Sequence, residues 1–189
     1  MSKLNILKII SEHASTCDEC SLHKNRIKSV FHRGNPYSRI VFVGEAPGAN
    51  ENETGLPFVG RAGKLLDKMI EAMGLNKESV YICNICKCRP PDNRKPKPEE
   101  MAACKKYLDA QLSLVEPDVI VTLGATATEA LLGPGEGISR RRGKIEKYNN
   151  INVVPTFHPS FLLRNPAAKL DVKDDLKIVL NLLEKNNED

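Results

Sequence analysis

The chain has 189 residues, a length typical of one domain that buries a sizeable core. Its 28 Lys and Arg residues outnumber its 24 Asp and Glu residues by four, and this mild basic excess permits a polyanionic partner without requiring one. The longest apolar runs have only four residues, far below the ~20 that cross a bilayer. We therefore expect no membrane partner. Because the N-terminus does not resemble a secretory signal, we also expect a cytoplasmic protein.

The hydrophobic pattern predicts strands and helices in alternation. Four strands are predicted, over residues 39–44, 79–85, 118–123 and 152–157. Helical spacing opens the chain and recurs between and after the strands, over 65–73, 98–115, 125–132 and 167–185. This alternation predicts an α/β fold, a three-layer α/β/α sandwich with a four-stranded parallel central sheet. In such sheets the functional site lies at the carboxyl ends of the strands.

Six cysteines are the first chemical signal. Cys17 and Cys20 have the C-x-x-C spacing with which two thiolates bind one metal centre. A full set of four needs two more from Cys83, Cys86, Cys88 and Cys104. If residues 79–85 form a strand, Cys83 and Cys86 face opposite sides of the sheet. This favours Cys88 and Cys104 as the two remaining ligands. All-thiolate ligation suits either zinc or an iron–sulfur cluster, and the later cysteines could instead be buried core residues.

Carboxylates and an amide follow the first two predicted strands. Glu45, Glu51 and Glu53 lie on the loop after the first strand, where a carboxylate could position water or accept a proton. A solvated acidic loop would have the same sequence. Asn84 ends the second strand, and its amide can both donate and accept, as reading the edge of a nucleobase requires. The alternative for Asn84 is a turn residue that caps the local backbone.

An aromatic residue and a histidine complete the candidate set. Phe58 lies just before a predicted helix and could offer its face to a base, although an aromatic residue there is more often part of the core. His158 ends the fourth strand and is followed by Pro159. From that position it could donate a hydrogen bond to a leaving group. A single histidine has no such role in most proteins.

Four motifs together resemble the family 4 uracil-DNA glycosylases. They are GEAPG at 44–48, GLPFVGRAG at 55–63, Asn84 with KCRPP at 87–91, and HPS at 158–160. They occur in the family's order, each at a predicted strand end, and the resemblance covers nearly the whole chain. It implies a hydrolase of base excision repair that cleaves the N-glycosidic bond of deoxyuridine in DNA. The reaction releases uracil and leaves an abasic site.

The resemblance also implies a cofactor and a domain organisation. Residues 1–189 would form a single glycosylase domain, with an iron–sulfur lobe formed by residues 15–25 and 86–105. The family carries a 4Fe–4S cluster, and its ligands correspond to Cys17, Cys20, Cys88 and Cys104. The remaining two cysteines depart from the family pattern and are expected not to bind the cluster.

By the same resemblance, two residues are expected to be catalytic and five to bind substrate. The catalytic pair is Glu45 and His158, and the substrate-binding set is Ala46, Glu51, Phe58, Asn84 and Ser160. Related glycosylases of other families have a water-orienting Asp where this chain has Ala46, so Glu45 is the expected substitute. Glu51 is expected to exclude the methyl group of thymine, and Ser160 to hold a phosphate.

We expect the protein to be a monomer that acts on uracil-containing DNA, single- and double-stranded. Two other functions fit part of the pattern. A non-catalytic nucleic-acid-binding protein could use a zinc or iron–sulfur site to order a basic loop, and it would bind DNA without releasing a base. A phosphotransferase could use the 44–48 loop, but that loop lacks the phosphate-binding lysine of such enzymes.

Overall fold

A six-stranded sheet forms the centre of the computed structural model, which describes residues 1–185. In chain order the strands are β1 (Arg33–Gly34), β2 (Ile40–Gly44), β3 (Tyr81–Asn84), β4 (Val119–Leu123), β5 (Glu146–Tyr148) and β6 (Ile151–Thr156). Their order across the sheet is β1-β3-β2-β4-β6-β5. Parallel pairing joins β3 to β2, β2 to β4 and β4 to β6, whereas β1 and β5 pair antiparallel at the two edges.

The predicted number of four strands is wrong, because the sheet is mixed and has six. The two additional strands are only two and three residues long, and neither contains a fully buried residue. Such short, partly exposed segments leave no apolar alternation in the sequence. The four predicted strands have the expected positions to within about two residues at their ends.

Eight α-helices connect and flank these strands in the described part of the chain. They are α1 (Lys3–Thr16), α2 (Ala49–Thr54), α3 (Arg61–Ala72), α4 (Pro98–Val115), α5 (Ala125–Leu132), α6 (Ile138–Arg141), α7 (Pro159–Arg164) and α8 (Lys169–Lys185). Short 3-10 helices occur at Ser21–Asn25, Pro91–Asn93 and Pro166–Ala168. The expected domain also includes residues 186–189, which lie outside the described residues. Within residues 1–185, none of the helices has the length and apolarity that a bilayer crossing needs.

Side-chain alternation along the buried strands divides the core between the two faces of the sheet. On β2, Val41 and Val43 pack with α1, α4 and α5, whereas Ile40 and Phe42 pack with α3, α7 and α8. Helices therefore cover both faces of the sheet, which is why its central strands are apolar throughout rather than alternating.

The parallel central strands end at one edge of the sheet, and this edge carries the candidate site. Main-chain hydrogen bonds continue the strand pairing past the strand ends: Ile85 N donates to Gly44 O at 2.9 Å, and Gly124 N donates to Thr156 O at 2.8 Å. The segments that follow β2, β3, β4 and β6 are thereby held side by side. Four loops that are distant in sequence meet there.

Candidate active site and cysteine cavity

A cavity of about 450 Å³ opens at this edge of the sheet. Its lining includes all seven residues predicted as catalytic or substrate-binding, namely Glu45, Ala46, Glu51, Phe58, Asn84, His158 and Ser160. The structure thus brings together residues from the carboxyl ends of three strands and from the segments that follow them. A concave site with a few convergent polar groups is the usual form of a small-ligand or base pocket.

Phe58 forms one wall of the cavity and has a restricted conformation. Its φ angle is +56°, and only 7% of its surface is exposed. Two glycines make room for it: a Cβ on Gly44 would overlap the Phe58 ring and Asn84 Oδ1, and a Cβ on Gly63 would overlap the Phe58 carbonyl. The ring centroid of Phe58 lies 5.8 Å from that of His158. The aromatic wall therefore depends on glycines in β2 and α3.

Two charged side chains hold the Phe58 loop in place. Glu51 Oε1 accepts hydrogen bonds from Val59 N and Gly60 N, both at 3.1 Å. Arg33 Nε donates to Pro57 O at 2.9 Å, and its Nη2 donates to Phe58 O at 3.3 Å. Arg33 was not predicted from the sequence, since an arginine in the two-residue strand β1 carries no local signal of this role. The Glu51 carboxylate thus supports the aromatic wall from the cavity side.

Asn84 presents an unsatisfied acceptor. The residue is 2% exposed, and its Oδ1 is buried without a hydrogen-bond partner among the described residues. A buried polar atom without a partner costs roughly 1–3 kcal/mol, so native proteins seldom retain one without a function. Because Asn84 lines the cavity, a ligand donor can satisfy this atom.

His158 is held in its neutral form with a defined tautomer. Its Nδ1 accepts from Ser160 N at 3.1 Å and lies 2.8 Å from Ser160 Oγ. Burial, together with the nearby charge of Arg164, lowers the pKa of His158 to about 4. With Nδ1 accepting, the single ring proton is on Nε2. Ser160, expected to bind phosphate, directs both of its donors to the imidazole.

Glu45 and Ala46 follow β2 directly. Both are partly exposed and line the cavity, and Glu45 O accepts from Cys86 N at 3.1 Å. This bond ties the loop after β2 to the loop after β3. Ala46 brings only a methyl group to the cavity. The residue before it on this loop, Glu45, brings a carboxylate.

Arg94, which anchors the basic loop at 89–97, was also not predicted from the sequence. Arg94 lines the cavity and pairs with the buried Glu100 of α4 at 2.7 Å. Glu100 also accepts from Ser21 Oγ at 2.9 Å and from Lys97 N at 2.8 Å. The hydrogen bond from Arg94 lowers the pKa of Glu100 to about 2. A Glu in the first turn of a predicted helix is expected for helix capping, so the sequence gives no sign that Glu100 also pairs with Arg94.

A second, small cavity brings together the four predicted cysteine ligands. Its lining includes Cys17 at the end of α1, Cys20, Cys88 after β3, and Cys104 in α4. Within residues 1–185, no group of three or more His, Cys, Asp or Glu side chains has the arrangement of a metal-ion site.

Donors and burial shape the electrostatics around these thiols. Arg26 Nη1 lies 3.5 Å from Cys88 Sγ, and Lys87 N donates to Cys104 Sγ at 3.3 Å. Burial raises the pKa of the Cys20 and Cys88 thiols. N–H groups directed at sulfur favour the thiolate form that metal ligation requires. The donor set of this cavity therefore fits an all-thiolate cluster.

The other two cysteines lie outside that cavity. The strand predicted over residues 79–85, from which their orientation was argued, is shorter than expected. β3 ends at Asn84, so Cys86 lies beyond the strand and not on its opposite face. Cys86 instead donates a hydrogen bond to Cys104, which lowers the pKa of the Cys104 thiol. Both Cys83 and Cys86 are fully buried in the core, and neither lines the cysteine cavity.

Comparison with known proteins agrees with this geometry. The family model of the uracil DNA glycosylase superfamily matches residues 31–183. The type-4 uracil-DNA glycosylase of Thermotoga maritima is 49% identical over 182 residues, covering 95% of this chain and 92% of that protein. The corresponding type-4 enzyme of Sulfurisphaera tokodaii is 43% identical over 188 residues, with 95% and 86% covered.

A more distant relative, the type-5 uracil-DNA glycosylase of Thermus thermophilus, is 40% identical over 114 residues, or 52% of each chain. The type-4 relatives match almost from end to end, and the family model spans both the β2 loop and His158. The chain belongs to the uracil DNA glycosylase superfamily.

Proposed function

We propose that this chain is a uracil-DNA glycosylase that hydrolyses the N-glycosidic bond of deoxyuridine in DNA. The observation that carries the proposal is the unpaired Asn84 Oδ1 in a cavity that also holds Phe58 and a neutral His158. The target nucleotide leaves the base stack to enter this cavity. The unstacking costs a few kcal/mol and is easiest for single strands and U·G mismatches. The protein acts as a monomer on single- and double-stranded DNA.

Asn84 reads the Watson–Crick edge of the flipped base. Uracil has a donor at N3 and an acceptor at O4, which match Oδ1 and Nδ2 of an asparagine amide. Cytosine has an acceptor at N3 and a donor at N4, so both contacts become repulsive. A site that leaves its buried polar groups unpaired rejects the wrong ligand strongly. Selection of uracil over cytosine therefore follows from Asn84.

Phe58 stacks on the base, and the loop that it shares with Glu51 limits the space beside it. Thymine differs from uracil by the C5 methyl group alone, so its rejection is steric. Glu51 lines the cavity and is fixed by two main-chain N–H groups, so it cannot easily move away from an extra methyl. The main chain near Ala46 completes the pocket.

Cleavage of the C1′–N1 bond leaves a cationic sugar and a uracil anion. The negative charge is largest at O2, where a preorganised donor stabilises it as it develops. His158 supplies this donor through Nε2–H, because Ser160 holds Nδ1 as the acceptor. A neutral imidazole with its proton on Nε2 donates this hydrogen bond while the proton stays on the ring. The uracil anion then takes its proton from solvent.

Glu45 assists on the sugar side. Its carboxylate orients a water molecule and disperses the positive charge of the sugar, and it takes one proton as the water oxygen bonds to C1′. Ala46, the next residue, has no group that could do either. Glu45 is therefore the water-orienting carboxylate in this chain.

The four cysteines of the small cavity fit a 4Fe–4S cluster, which when bound supplies a structural cross-link. Cys17 and Cys20 come from the N-terminal segment, and Cys88 and Cys104 flank the basic loop. A cluster on these thiols would hold residues 15–25 against residues 86–105 as one lobe of a single domain. Four thiolates can bind either zinc or an iron–sulfur cluster, and the resemblance to the family 4 enzymes favours the cluster.

Uracil release from a labelled oligonucleotide with one deoxyuridine tests the function. We expect alkali-labile cleavage at that position, and none with thymine or cytosine there. The matched variant Asn84→Ala is expected to lose most of the activity. Binding of the oligonucleotide without base release by the wild type would instead favour the non-catalytic nucleic-acid-binding function.

A further inference from the structure

Lys87 lies between the two cavities and is itself buried. The residue is 1% exposed and lines the cysteine cavity, whereas its neighbour in the same turn, Asn84, lines the active-site cavity. Lysine is among the residues that proteins rarely bury, because an ammonium group loses its hydration there. Its position needs a functional reason.

The contacts of Lys87 connect both cavities through one side chain and one peptide group. Nζ donates to Asn84 O and to Gln111 Oε1, both at 2.6 Å, and the ammonium lies 5.6 Å from the centroid of the Phe31 ring. The main-chain N–H of Lys87 donates to Cys104 Sγ at 3.3 Å. Both oxygen acceptors of Nζ are neutral, so this is not a buried ion pair.

Gln111 makes the anchor rigid. This residue is fully buried on α4, and its Nε2 donates to Phe31 O at 2.9 Å and to Tyr81 Oη at 3.0 Å. The amide is therefore fixed by β3 and by the segment before β1, and its oxygen is directed at Lys87. A satisfied buried polar network of this kind holds its members in one arrangement.

We propose that Lys87 is the positioning residue that holds Asn84 against the flipped uracil and couples it to the cysteine site. This inference rests on the proposed function. Asn84 is the last residue of β3, and main-chain pairing continues only through Ile85 N and Cys86 N into the following turn. The ammonium closes the 84–87 turn through the Asn84 carbonyl, and the peptide N–H of Lys87 fastens the same turn to Cys104. Order at the cysteine cavity is thereby transmitted to the base-reading amide.

The test compares Lys87→Met, which keeps the length of the side chain without its donors, with the exposed control Lys177→Met. A misplaced base-reading amide costs about a hundredfold in rate. We expect Lys87→Met to lower the single-turnover rate of uracil release about ten- to a hundredfold, and Lys87→Arg to restore part of it. Lys87→Met leaves Asn84 O and Gln111 Oε1 without their donor, so some loss of stability is expected, and the rates are compared at a temperature at which both variants are fully folded. A purely structural lysine would leave the rate of the folded protein unchanged.

Hydrogen exchange measured by mass spectrometry gives a readout that does not depend on activity. In Lys87→Met, and also in Cys104→Ser, the peptide that contains residues 84–88 should exchange faster than in the wild type and in Lys177→Met. Unchanged exchange in Lys87→Met would overturn the positioning role, and so would a rate within threefold of an active wild type. If the wild type releases no uracil, the proposed function fails, and the exchange measurement still decides whether Lys87 holds the turn.

Discussion

The ring of Phe58 lies 5.8 Å from the ring of His158, with the two planes inclined by 31°. One ring comes from the loop before α3 and the other from the end of β6, separated by a hundred residues of sequence. Together they define where a flat base can lie and which of its atoms meets the imidazole. Small displacements of either ring should therefore affect catalysis more than folding.

Gly63→Ala should displace Phe58, because the new methyl group would overlap the Phe58 carbonyl. Overpacking of this kind typically costs about 1–3 kcal/mol, and the displaced ring should reduce uracil release by more than tenfold. Gly137→Ala is the matched control, since a Cβ there meets nothing within 4 Å and its φ is not positive. Thermal unfolding and single-turnover rates of both variants check this, and equal activities would contradict the role of Gly63.

Glu51→Ala should loosen the Phe58 loop by removing the acceptor of Val59 N and Gly60 N. Hydrogen bonds to a charged group are worth about 1.5–3 kcal/mol each, so we expect a loss of roughly a hundredfold in kcat/KM. Glu51→Gln keeps one oxygen acceptor and should lose less, and Glu53→Ala on the exposed face of α2 should lose nothing. Assaying thymine opposite guanine as well tests the steric role, because release of thymine by Glu51→Ala would support it.

The rate of uracil release should not change near pH 6.5, the ordinary pKa of histidine. His158 has a pKa of about 4, so its ring stays neutral in the folded protein from pH 8 down to about 5. A break at pH 6.5 in the single-turnover profile that disappears in His158→Asn would contradict this prediction, because it would show that the imidazole of His158 gains a proton near its ordinary pKa.

The same pKa shift predicts how stability depends on pH. Between pH 6.5 and 4 the unfolded chain binds a proton at residue 158 that the folded chain does not, so stability falls as the pH falls through this window. His158→Asn removes this proton difference. Urea unfolding at pH 7 and at pH 4.5 should show wild type losing about 1–3 kcal/mol more than the variant on acidification. An equal loss in both proteins would contradict the shift.

Cysteine substitutions should separate ligands from bystanders. Cys88→Ser, which removes a thiol of the cysteine cavity, should reduce bound iron and visible absorbance, whereas Cys83→Ser should keep a coloured, active protein. Cys86→Ser is the more demanding comparison, because Cys86 hydrogen-bonds to Cys104. A serine hydroxyl can still donate, so iron content should be retained. Loss of iron from Cys83→Ser or Cys86→Ser would overturn the assignment of ligands.

The sequence by itself determined the order of the main strands and helices and the residues around the active-site cavity. Apolar strands that end in short motifs are local signals, and parallel strands necessarily bring their ends to one edge. That is why Glu45, Asn84 and His158 could be identified before their geometry was known. The two edge strands were too short to leave such a signal.

Only the tertiary structure decided which groups support those residues. Arg33 of β1 donates to the loop that carries Phe58, Ser21 donates to Glu100 of α4, and Lys87 donates to Gln111 of α4. Ser160 is expected to hold a phosphate, and the structure shows that its Oγ and main-chain N–H lie against His158 Nδ1. A hydrogen bond between distant segments depends on the direction in which both side chains point, and this direction is fixed by packing rather than by local sequence pattern.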